Sequence, residues 1–97
     1  MPTFISYVNF TDQGIRDLKD APNRVEAARS ALKNLGGELK DIYLTTGQYD
    51  LLAISEAPDA EVIAKFSLAL ARLGNVRTTT VRGFTEDEYY SIIADLP

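Results

Sequence analysis

Residues 3–10 are rich in β-branched and aromatic types, and Phe4, Val8 and Phe10 fall on one side of a two-residue alternation, which predicts a first strand. Thr11, Asp12, Gln13 and Gly14 interrupt the alternation, and a short turn of helix is expected over residues 15–19. The period then lengthens. Val25, Ala28, Leu32 and Leu35 recur at helical spacing, with Asp20 or Asn23 available as N-cap and Pro22 in the first turn, where a missing N–H costs nothing. Glu26 follows Asn23 at the spacing of a capping box, and Gly36 with Gly37 stops the helix.

Two further strands are predicted over residues 38–46 and 50–56, joined by Gly47 and Gln48, because glycine takes the positive φ that a two-residue hairpin demands. In that register Thr45 lies opposite Asp50 and Tyr43 opposite Leu52. Asp50 then shares a face with Leu52 and Ile54 while Tyr49 projects to the other, an assignment that a longer loop would reverse. Pro58 and Asp59 open a second long helix to Leu73, with Ile63, Phe66, Leu70 and Leu73 as its core stripe and Gly74 and Asn75 as its end. Glu61, Lys65 and Arg72 make its charged strip, which leaves Ala64, Leu68 and Ala71 on a flank that a monomer would expose. Residues 76–84 predict a fourth strand, with Val76, Thr78 and Thr80 alternating against Arg77, Thr79 and Val81. Thr85 and Glu88 form a capping box for a terminal helix whose Tyr89, Ile92, Ile93 and Leu96 make one stripe.

This order is α+β and matches the ferredoxin-like βαββαβ arrangement: an antiparallel four-stranded sheet with both main helices on one face, followed by a C-terminal helix. Residues 51–54 are apolar on both sides of their strand, and a sheet hydrophobic on both faces cannot leave one of them in water. A second copy of the chain is therefore expected on the open face.

A chain of 97 residues fits one domain, 1–97, and its 45% hydrophobic and 25% charged content offers no linker or biased tract at which to divide it. A net charge of −4 argues against nucleic acid, which calls for a basic face, and against an anionic membrane surface. The absence of cysteine and histidine removes disulfides, thiolate nucleophiles, histidine bases and Cys/His metal sites. No apolar run approaches the ~20 residues of a membrane span, and the N-terminus lacks the layout of a secretory signal, so a cytoplasmic protein is expected.

Several segments together resemble the GYD-domain family: Thr11 to Arg16 after the first strand, Pro22 and Arg24 opening the first long helix, Gly47, Tyr49 and Asp50 in the hairpin, Glu56 to Pro58, Gly74 to Thr78, and Phe84 with Thr85. The resemblance covers nearly the whole chain and leaves only residues 89–97 beyond it, a helix suited to the protein's own assembly. It implies a dimeric α/β barrel in which two ferredoxin-like sheets pack face to face, and it implies no cofactor. Relatives of that fold include cofactor-free monooxygenases, small isomerases and effector-binding domains of Lrp/AsnC-type regulators, so the fold alone does not assign an activity.

Within such a barrel, Tyr7, Asn9 and Thr79 would line the interior, where they either contact a small molecule or fill the dimer interface. Asp50 beside Tyr49 is the most site-like pair, with the plainer alternative that Asp50 ties down the hairpin and Tyr49 packs. Arg77 and Arg82 suit a small anion, although edge-strand charges that discourage aggregation are the commoner case. Pro2 would become a tautomerase-like base only after loss of Met1, and Asp12, Glu86, Asp87 and Glu88 are too scattered for a metal site. The residues point first to a homodimeric or higher homo-oligomeric binding or assembly module with a small-molecule ligand, the ligand-binding set being Tyr7, Asn9, Tyr49, Asp50, Arg77 and Thr79. The alternative is a cofactor-independent monooxygenase- or isomerase-like enzyme that uses Asp50, Tyr7 or Tyr49 as acid and base.

Overall fold

The computed structural model describes all 97 residues. Strand β1 (Thr3–Phe10) is followed by a short helix α1 (Asp12–Arg16), a 3-10 turn (Leu18–Asp20) and helix α2 (Ala21–Asn34). Strands β2 (Glu38–Leu44) and β3 (Leu51–Glu56), helix α3 (Ala60–Leu73), strand β4 (Val76–Gly83) and helix α4 (Glu86–Ala94) complete it. The four strands are antiparallel in the order β2-β3-β1-β4, so the two central strands come from the two halves of the chain. This is the ferredoxin-like α+β arrangement.

Alternation along β1 separates the two faces. Phe4, Val8 and their neighbours Ala53 and Ser55 on β3 turn toward the helices, and Phe4, Leu32, Leu39, Ala53, Ala57, Ile63 and Phe66 make the buried core. On the opposite face Ile5 pairs with Ile54 and Val81, and Tyr7 with Leu52 and Thr79. No helix covers those side chains. A bulge at Lys40 slips the β2–β3 register between Leu39 and Asp41, which lets Leu39 and Ile42, three residues apart, both face the core.

Three expectations require correction. The first helix starts at Asp12, not Ile15, because the Thr11 hydroxyl accepts the Gly14 N–H at 3.1 Å and makes Thr11 an N-cap. At α2, Asp20 is the N-cap residue, but its carboxylate accepts the Asn23 side-chain amide at 2.8 Å, so no Asn23–Glu26 capping box forms. Leu73 is not core: it sits at the last turn of α3 and is 65% exposed. By contrast α3 is capped by Asp59, whose carboxylate accepts the Val62 N–H, and it ends as expected at Gly74, with φ +84. The Thr85–Glu88 capping box of α4 is also formed.

Candidate functional site

The hairpin that carries Tyr49 and Asp50 keeps its predicted register, Tyr43 opposite Leu52, but not its predicted turn. The Thr45 N–H donates to the Asp50 carbonyl at 2.9 Å, and the Thr45 hydroxyl donates to the Tyr49 carbonyl at 2.6 Å. Residues 46–49 therefore form a four-residue loop, in which Gly47 adopts φ +115. Freed from strand pairing, Tyr49 swings onto the open sheet face, where its ring lies 4.8 Å from that of Tyr7. This overturns the placement of Tyr49 on the other face.

Asp50 is occupied locally. Its carboxylate accepts the Phe10 N–H at 2.9 Å, and its own N–H donates to the Val8 carbonyl at 2.9 Å. A side chain thus closes the β1–β3 ladder where backbone pairing stops. Asn9 and Arg77 are paired across β1 and β4, on the same face as Tyr7 and Thr79. The structure accordingly brings Tyr7, Asn9, Tyr49, Arg77 and Thr79 onto one face at one end of the sheet, with Asp50 anchoring that end.

Arg82 does not join them. Five places from Arg77, it takes the opposite face beside Phe4, lies 4.4 Å over the Phe84 ring, donates to the Thr3 and Gly83 carbonyls and pairs with Glu88 at 3.8 Å. Two arginines on alternate faces cannot grip one anion. Glu88 accepts the Thr85 N–H, which holds its carboxyl below the usual glutamate range despite partial desolvation, with the Thr85 hydroxyl contact and the Arg82 charge adding to the effect. Glu86 accepts the Tyr90 hydroxyl at 3.2 Å.

A second feature was not anticipated. A cavity of about 220 Å³ lies between α2, α3 and the helix-facing side of the sheet, walled by Val8, Val25, Ala28, Leu51, Leu70 and Val76, with Arg24 and Asn75 among its few polar residues. None of the six predicted ligand residues lines it. Small residues at facing positions, Ala28 and Ala31 on α2 and Ala69 on α3, leave this half of the layer unfilled while Leu32 and Ile63 fill the other.

The polar residues beside this cavity form one junction. The Thr11 N–H donates to the Asn75 carbonyl, the Thr11 hydroxyl to the Gly74 carbonyl, the Gln13 amide to Leu73 and Asn75, and the Arg24 guanidinium to the Gly14 carbonyl. Segments far apart in sequence, Thr11 to Gly14 and Gly74 to Asn75, thus lock the start of α1 onto the end of α3. The signal was present in the chain, since Thr11 is a good N-cap and Gly74 a good C-cap, but their mutual contact is tertiary.

A ferredoxin-like α+β domain with a hydrophobic open sheet face defines the class of this protein. The chain belongs to the GYD domain family, which it matches over residues 4–93. It is 35% identical over 82 residues to the glutamine synthetase and cystathionine beta-lyase binding protein of Thermus thermophilus, covering 84% of this chain and 86% of that one. A crystal structure of a Thermus thermophilus protein superposes with a TM-score of 0.56 at 26% identity, covering 88% of this chain and 95% of the other. The feast or famine regulatory protein of M. tuberculosis, in complex with L-methionine, superposes with a TM-score of 0.66 over 88% of this chain and 51% of its own; at 16% identity the likeness is one of fold. No helix is long and apolar enough to cross a membrane.

Proposed function

We propose that this chain is a homo-oligomeric binding module that docks on a metabolic enzyme, two copies closing a barrel through their open sheet faces. The observation that carries the reading is the strip of Ile5, Tyr7, Tyr43, Leu52, Ile54 and Val81 on the uncovered face. Full burial of such a side chain is worth about 1.5–3 kcal/mol; Ile5, Tyr7, Leu52 and Ile54 are already half-buried in the single chain, so pairing gains a part of that from each and more from the exposed Tyr43 and Val81. In the dimer Tyr7, Tyr49, Asn9, Thr79 and Arg77 meet the second sheet at one end of the barrel, where a small polar ligand would contact them. The Thermus relative's enzyme-binding name supports the class of macromolecular partner.

The enzyme alternative calls for Asp50 or a tyrosine hydroxyl facing a substrate cavity. The cavity lies on the other side of the sheet, and the Asp50 carboxylate is held by the Phe10 N–H, a geometry that favours binding over catalysis. The test is calorimetric titration of the purified protein into glutamine synthetase, with cystathionine β-lyase as a second arm. Saturable binding to either enzyme is the expected result; heatless mixing with both at tens of micromolar would overturn the enzyme-docking reading.

A further inference from the structure

We propose that α4 is an exchange arm that seats on the outer flank of α3 in a second copy of this chain. The helix stands off its own body. The molecule is 51 Å long and only 17 Å thick, whereas an eight-residue strand accounts for about 27 Å of that length. All of Tyr89, Ile92, Ile93 and Leu96 are exposed, Ile92 and Ile93 by 47% and 44%, and the polar tie to the body is the Arg82–Glu88 pair. A helix this apolar on one stripe gains little by remaining in water.

The complementary surface is on the same molecule. Leu68 is 71% exposed at the centre of the α3 flank, between Ala64 and Ala71, whose small side chains permit close helix approach. Glu61, Lys65 and Arg72 border that flank, a net positive edge in which neither base ion-pairs within the chain. At the edge of the apolar stripe Asp95, the C-cap of α4, is unpaired seven residues from Glu88, whose carboxylate is already held by the Thr85 N–H and Arg82, and the helix carries no basic residue. Acidic and apolar against basic and apolar is the match that selects this occupant. The area argues the same way: the sheet presents a plane on the order of 400 Å², about half of the ~800 Å² that each partner buries in a standard interface. Reciprocal exchange of the arm between two copies closes on itself and leaves no open end.

The chain has no cysteine, so single-cysteine variants report one contact at a time. Leu68→Cys and Ile92→Cys proteins, mixed in equal amounts and mildly oxidised, are expected to form the mixed disulfide dimer in clear excess over either self-linked dimer. Adding Asp95→Lys should cut that yield severalfold, and Arg72→Glu in the Leu68→Cys partner should restore it. The mixed link should survive Leu52→Glu in both chains, which separates this contact from the sheet pairing. Absence of the mixed link, or a double-cysteine chain that closes within itself at high dilution, would overturn the proposal.

Discussion

The Asp50 carboxylate accepts the backbone N–H of Phe10 at 2.9 Å, so the acidic residue of the hairpin serves as the terminal rung of the β1–β3 ladder. A charge-assisted bond of this kind contributes about 1.5–3 kcal/mol. Asp50→Ala should therefore lower the unfolding free energy in urea by that order, and Asp50→Asn, which keeps an acceptor, by less. Equal losses for both would contradict the role.

Gly14 lies where a Cβ would collide with the backbone carbonyl oxygen of Asn75, in the junction that joins α1 to the end of α3. Backbone cannot give way as a side chain can. Gly14→Ala should destabilise the fold by about 1–3 kcal/mol, measured by chemical denaturation; an unchanged midpoint would place Asn75 elsewhere.

The cavity between α2 and α3 is walled by alanines that a longer side chain could replace. Ala28→Leu should raise stability by about 0.5–2 kcal/mol by filling it, read as an increase in Tm. A decrease would mean that this half of the layer is already packed.

Glu88 has its carboxyl lowered chiefly by the Thr85 N–H, so its contribution to the α4 cap is present at neutral pH and disappears as pH falls through that lowered value. The Thr85 amide resonance should titrate with a midpoint below the ordinary glutamate range, and Glu88→Gln should abolish the titration. A midpoint at or above that range would contradict the capping geometry.

Element order, both ends of α3 and the start of α4 were legible because each has a local cause: Asp59 and Thr85 as N-caps, Gly74 as a left-handed C-cap, and the period-two stripe of β1; the start of α1 and the cap of α2 were not. The side of the sheet taken by Tyr49 was not, because it turns on the Thr45 hydroxyl closing a wider loop, a contact that strand alternation does not encode. The Lys40 bulge and the α2–α3 cavity escaped for a related reason. Both depend on how separate elements pack, and the alanines that line the cavity read in sequence as ordinary helix formers. Tyr7, Asn9, Thr79 and Arg77 fell on one face as alternation requires, while Arg82, an odd number of residues from Arg77, was bound to the other.

The pairing of open sheet faces is tested most directly by light scattering behind size exclusion at micromolar concentration, on the native chain and on Leu52→Glu. The account predicts a native mass of at least twice the 10.7 kDa protomer, and weaker association of the Leu52→Glu protein, in which only the exchanged arm links copies, while the fold is retained. A native protein that elutes at 10.7 kDa, with Leu52 and Ile54 open to solvent, would contradict it.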